Sequence, residues 1–172
     1  MISLNQMKKG FTLIELLVVV AILGVLSSII LVSIGQAQSS AAFARAKLEF
    51  RSIATAIELW TEDHGDVMPA DVDRNLPPGL EIYLSSGNWP NAPWPASVYD
   101  WDNWDDPDHP GQKIYQISVR FCPLGHPELC RFPTDEWATN FDYYSAVYYC
   151  LGGSCRSHLS RPINHPGYCV NC

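Results

Sequence analysis

Twenty-four consecutive residues, Phe11 to Ile34 (FTLIELLVVVAILGVLSSIILVSI), contain a single charge, that of Glu15. A helix apolar on every side has to be buried on every side, which a chain of 172 residues can hardly arrange within its own core. At helical rise the run extends about 36 Å, enough to cross a hydrocarbon layer of roughly 30 Å with some tilt. Lys8 and Lys9 precede it and the next basic residue is Arg45. That asymmetry predicts a single-pass segment with a cytoplasmic N-terminus and everything beyond Ile34 outside. A cleaved secretory signal fits poorly, because its apolar core is only about 7–15 residues long. Glu15 is the anomaly. A carboxylate in hydrocarbon costs on the order of 2.5–3.5 kcal/mol at the helix centre, so a positive charge at the same depth is required.

The segment Lys8-Lys9-Gly10-Phe11-Thr12-Leu13-Ile14-Glu15-Leu16-Leu17 resembles the leader and cleavage motif of type IV prepilins and type II secretion pseudopilins. The likeness is tight over about the first 30 residues and looser through the helix behind them. It implies cleavage after Gly10 by a membrane prepilin peptidase and N-methylation of the new terminal residue, Phe11. It also implies that Glu15 offsets the Phe11 ammonium and sets subunit register during assembly, which supplies the missing positive charge. The partners it implies are other pilin or pseudopilin subunits, the peptidase, an inner-membrane assembly platform, and the lipid bilayer before assembly. The resulting filament would be extracellular or periplasmic. Translation from Met1 or from Met7 is compatible with the motif. Where many major pilins place a helix-breaking proline the chain has Val32, leaving Gly24 and Gly35 as the flexible points.

Three regions are expected: a leader, 1–10; a long helix, 11–64, spanning the membrane over 11–34; and a globular domain, 65–172. In the second half of the helix Phe43, Ala46, Phe50, Ile53, Ile57 and Trp60 recur at spacings of 3 and 4 and form one apolar stripe. Packing against a sheet is its plainest use. Gly65 predicts the stop, with Pro69 beyond it. In the globular part, Tyr115, Ile117, Val119 and Phe121 alternate with Gln116, Ser118 and Arg120, the clearest strand. Tyr143–Leu151 reads as a second, and Leu80–Leu84 as a weaker helix or strand. The expected fold is α+β, one long helix on a small antiparallel sheet with disulfide-rich C-terminal loops. That is also the fold the resemblance implies.

Cys122, Cys130, Cys150, Cys155, Cys169 and Cys172 all fall in the last 51 residues, an even number in an outward-facing domain, which predicts three disulfides. Six cysteines allow fifteen connectivities; we expect the local pairs Cys122–Cys130, Cys150–Cys155 and Cys169–Cys172. The net charge of −7, which becomes −9 when Lys8 and Lys9 leave with the leader, argues against bulk binding of nucleic acid or anionic lipid.

Between Asp100 and Asp108 five carboxylates occur in nine residues, bounded by proline and interleaved with Trp101 and Trp104. Calcium takes oxygen ligands from such loops, and major pseudopilins carry a calcium site in their C-terminal loops. Asp100, Asp102 and Asp105 are the ligands we would expect; the alternative is a solvated acidic loop. The spacing is not that of an EF-hand. Trp89, Trp94, Trp101 and Trp104 either pin irregular loops to the core or form an exposed aromatic platform for sugars or partner subunits. Zinc, suggested by His126 between Cys122 and Cys130 and by His165 before the terminal C-x2-C, is a weaker reading than disulfides in an oxidising compartment. No catalytic motif of the G-x-S-x-G, H-E-x-x-H or P-loop kind is present, so we expect no enzyme. Two functions remain: a structural filament subunit, and a minor or tip subunit whose outer domain binds a surface, a sugar or DNA.

Overall fold

A computed structural model describes residues 11–158 and 165–172, with the side chains of residues 29–33 and of residue 36 outside that description. The leader 1–10, with its cleavage residue Gly10, therefore lies outside the described residues. The chain divides into two compact units, 1–40 and 41–172, and the division falls inside the first helix.

Helix α1 runs Leu13–Asp63. Its start is a capping box, Thr12-x-x-Glu15. The Thr12 backbone N–H and hydroxyl donate to Glu15 Oε2 at 2.9 and 2.7 Å, and the Glu15 N–H donates back to Thr12 Oγ1 at 3.3 Å. Its end is a Schellman turn: Gly65 sits at φ +69°, and the Asp66 N–H reaches the Thr61 carbonyl at 3.0 Å.

In the first unit every large apolar side chain described from Phe11 to Leu26 is exposed. No described residue of the unit covers them. The expected transmembrane half, 11–34, is nevertheless not shown as a span: among the described residues no helix is long and apolar enough to cross a membrane. The apolar part of α1 with described side chains, 13–28, is shorter than the roughly 17–25 residues a crossing takes.

The second unit is an α+β fold built on the later part of α1. Four strands, β1 (Val98–Asp105), β2 (Lys113–Arg120), β3 (Ala146–Gly152) and β4 (Gly167–Cys169), lie in the order β1-β2-β3-β4. The first three are antiparallel; β4 runs parallel to β3, so the sheet is mixed rather than antiparallel throughout. The helix stripe behaves as its period requires: Ala46, Phe50, Ile53 and Ile57 are buried, and Phe43 and Trp60 flank them. Tyr99 and Trp101 of β1, Ile117 and Val119 of β2 and Val147 of β3 belong to the same core. Phe50 meets Tyr99 edge-on, with ring centroids 5.6 Å apart, and stacks on Tyr149 at 6.0 Å. The Tyr99 hydroxyl donates to Glu49 at 2.7 Å, and the Trp101 indole N–H to the Pro69 carbonyl at 2.9 Å, so both polar tips have partners.

Leu80–Tyr83 is a 3-10 turn, and the aromatic run yields a strand only from Ala146, because Asp142 and Ser145 close a turn before it. The largest departure concerns the acidic run. It is not a proline-bounded loop: its first six residues, Asp100–Asp105, are most of β1, paired residue for residue with β2. The cysteines are bonded Cys122–Cys130, Cys150–Cys155 and Cys169–Cys172. Each bridge closes one short loop, and no cysteine is left free as a zinc ligand. Gly153, at φ +79°, is required in the middle one, since a Cβ there would stand 2.2 Å from the Lys113 carbonyl oxygen.

Candidate functional site

The helix start is the first site. Phe11 is exposed and Glu15 lies one turn on. The Glu15 carboxylate is held by Thr12.

The second site comes from the sheet. Strand periodicity sends Tyr99 and Trp101 to the helix side and Asp100, Asp102 and Trp104 to the other. On β2 the same rule puts Gln116, Ser118 and Arg120 on that second face. The register sets Asp100 opposite Ser118 and Asp102 opposite Gln116; Arg120, opposite Val98, is diagonal to Asp100 and its long side chain reaches along the face to Asp102. Arg120 Nε lies 3.3 Å from Asp100 Oδ2, and Nη2 lies 3.0 Å from Asp102 Oδ1. Its Nη1 donates to the carbonyls of Tyr144 and Ser157, and its guanidinium lies 5.7 Å from the Trp104 ring centre. Gln116 Nε2 donates to Asp102 at 3.0 Å and to the Arg156 carbonyl at 2.6 Å. The Arg74 N–H closes the set on Asp100 Oδ1 at 2.7 Å. All three charged side chains are at least nine-tenths buried.

Burial opposes the charge on Arg120, but Asp102 and Asp100 outweigh it and raise its pKa. One guanidinium does not fully compensate two acids. Burial, and next the Asp102 charge, push Asp100 up to about 7. Burial likewise raises Asp71, which sits beside this cluster. Asp106 goes the other way, down to about 2, because His109 and the Asp108 N–H donate to it. A raised carboxyl pKa means that the folded state holds a proton the unfolded chain has released. Asp100 therefore contributes stability that is full below about pH 4 and lost as pH rises toward 7. Asp106 contributes stability present above about pH 4 and lost as pH falls toward 2. Asp100→Asn should flatten the decline in melting temperature between pH 4 and 7.5 while leaving the acid limb below pH 4. An unchanged decline would show that Asp100 is ionised throughout.

This geometry corrects the calcium expectation. Asp100 and Asp102 are brought together, but Arg120 occupies the place a cation would take. Asp105, at an odd position of the strand, projects to the other face, is exposed and pairs with Lys113 at 3.0 Å. Among the described residues no group of three or more histidine, cysteine or acidic side chains is placed to hold a metal ion. The donor set does not fit calcium. The aromatic platform is likewise not formed as four exposed rings: Trp94 and Trp101 are buried in the core, while Trp89 and Trp104 are half-buried. Arg120 and Gln116 were not legible as site residues, since on a strand they look like a solvated face. The period-two run Tyr99-Asp100-Trp101-Asp102 was the available signal that the acids belong to a strand.

The fold is a disulfide-clasped α+β domain built on the later part of α1, and the large apolar side chains from Phe11 to Leu26 are exposed. Residues 5–31 match the prokaryotic N-terminal methylation motif, the signature of type IV pilins and pseudopilins, a structural rather than enzymatic class. That signature implies a processed, membrane-anchored subunit that associates with other pilin subunits and with prepilin peptidase. No curated protein and no solved structure matches the chain.

Proposed function

We propose that this chain is a structural subunit of a type IV pilus-like or pseudopilus filament. Prepilin peptidase cuts after Gly10, Phe11 is methylated, and the subunit waits in the membrane through residues 11–34. It then polymerises through that helix, with Glu15 paired to the Phe11 ammonium. The observation that carries this reading is the coincidence of the methylation motif with a helix exposed and apolar all round from Phe11 to Leu26. Such a surface is stable only inside lipid or against copies of itself.

Mass spectrometry of the N-terminus tests the proposal: the mature chain should begin at methylated Phe11. An intact leader, or any other mature end, would refute it. A second reading, a minor or tip subunit, is favoured by the cavity over the Arg120 cluster. The two separate by stoichiometry, since a major subunit dominates sheared filaments and a tip subunit is scarce in them.

A further inference from the structure

Between residues 47 and 62 helix α1 has an exposed face opposite its buried stripe. Lys47, Leu48, Arg51, Glu58, Leu59 and Glu62 lie on it, all exposed. Its charges are sorted along the axis, two cations first and two acids after. For a lone helix this is a poor arrangement. Lys47 and Arg51, like Glu58 and Glu62, are like charges four residues apart, which repel. No opposite charge stands three or four residues from any of them within the helix. Acids in the last turn also oppose the helix dipole, and that turn holds no basic residue. Elsewhere on the helix the rule is kept: Arg45 and Glu49, four apart, pair at 2.8 Å. Lys47 rests over the Phe43 ring at 5.0 Å, and among the described residues none of the four charges has an ion-pair partner.

The second half of the face repeats the first at an interval of eleven residues: Lys47 and Glu58, Leu48 and Leu59, Arg51 and Glu62. Eleven residues make three helical turns to within about 20°, with a rise of about 16 Å. The two leucines are 66% and 46% exposed. Two parallel copies at equal height would set like charge beside like. Raised by eleven residues, one copy brings its cations level with the other's acids, and its Leu48 level with the other's Leu59. The N-terminal motif fixes the orientation, since it implies a membrane-anchored subunit that associates with other pilin subunits. Chains anchored in one membrane share one direction.

We infer that the 47–62 face of α1 docks on the same face of a second, parallel copy raised by eleven residues, with Lys47 and Arg51 of the raised copy against Glu58 and Glu62 of the lower one. Each pairing leaves the lower copy's cations and the raised copy's acids free for further copies, so the contact continues as an open series rather than closing as a dimer. It rests on the filament reading and adds an axial register set outside the apolar segment. The cavity of about 480 Å³ lined by Asp100, Asp102 and Arg120 lies on the sheet face turned away from α1 and is not part of this contact.

The test uses sheared filaments of the full processed chain and a water-soluble carbodiimide, which joins an amine to a carboxylate only where the two touch. With the leader removed, Lys47 and Lys113 are the lysines left. Lys113 pairs with Asp105 at 3.0 Å within the chain and is the internal control. Mass spectrometry of the digest should find Lys47 joined to Glu58, a link between copies, because within one helix the two stand about 16 Å apart. Lys47 joined to Glu62 instead marks an antiparallel pair and overturns the inference. So does Lys47 joined to another protein, or unjoined while Lys113 couples.

Charge reversal gives a second measurement. Lys47→Glu with Arg51→Glu, and Glu58→Lys with Glu62→Lys, should each lower filament yield about fivefold or more, and the four changes together should restore it. The second pair improves the charge at the helix end, so its loss cannot come from a weakened helix. Unchanged yield in either double variant, or a quadruple variant no better than the doubles, overturns the inference. If the processed chain forms no filament at all, the filament reading falls and this contact with it. Filaments that form without the Lys47–Glu58 link sink this contact alone.

Discussion

Arg120→Leu should lower the unfolding free energy of the full chain in micelles by about 3–5 kcal/mol at pH 7.5, the loss seen when one partner of a buried pair is removed. The physical reason is what stays behind. Asp100 and Asp102 keep their burial while losing the charge that compensates them, and the carbonyls of Tyr144 and Ser157 lose a donor. Denaturant unfolding at two pH values checks the cause. Below about pH 4 the stranded acids take up protons, so the loss should shrink. Arg120→Lys should recover little, since an ammonium cannot reproduce the fork that reaches two acids and two carbonyls. Neutralising the whole cluster, with Asp100→Asn and Asp102→Asn added to Arg120→Leu, should recover more than Arg120→Lys does. A loss near 0–1 kcal/mol at both pH values, as for a solvated surface pair, would mean that the cluster is wet and its charges screened.

Glu15→Ala should leave membrane insertion and cleavage after Gly10 intact, because the apolar run becomes more hydrophobic. Filament yield should fall more than about tenfold, the effect of losing 1.4 kcal/mol or more per subunit contact. The capping box makes a sharper version possible, since Glu15 has two separable jobs. Thr12→Ala removes the box hydrogen bonds and keeps the acid; loss of a cap is worth about 1 kcal/mol of helix stability. Glu15→Gln keeps an acceptor for the Thr12 N–H and removes the charge. If the acid serves the Phe11 ammonium, Glu15→Gln should fail to assemble as badly as Glu15→Ala, and Thr12→Ala should assemble nearly normally. The reverse order in sheared-filament yield would assign Glu15 to the helix cap alone.

Much of the fold could be read in advance, and the reasons are particular. The Phe43–Trp60 stripe and the Tyr115–Phe121 alternation are periodic, and period alone assigns a helix face or a strand face. Strand β1 was hidden because its acids mimic a solvated loop, although their alternation with Tyr99 and Trp101 has the strand period. β4 is three residues long, too short to carry a pattern, and exists by pairing with β3. The metal expectation failed for a related reason. Asp100, Asp102 and Asp105 look like one cluster along the chain, yet a strand sends the third to the opposite face.

What the sequence by itself determined is what neighbours in the chain decide among themselves: the motif at Gly10 and Phe11, the Thr12–Glu15 box three residues apart, and the apolar run. What only the tertiary structure decided is the buried Asp100–Arg120–Asp102 cluster and the cavity over it. Its partners lie 20 and 18 residues apart, on different strands. Strand register sets which side chains stand diagonally opposite, and register comes from packing Tyr99, Trp101, Ile117 and Val119 on the helix, not from the acids themselves.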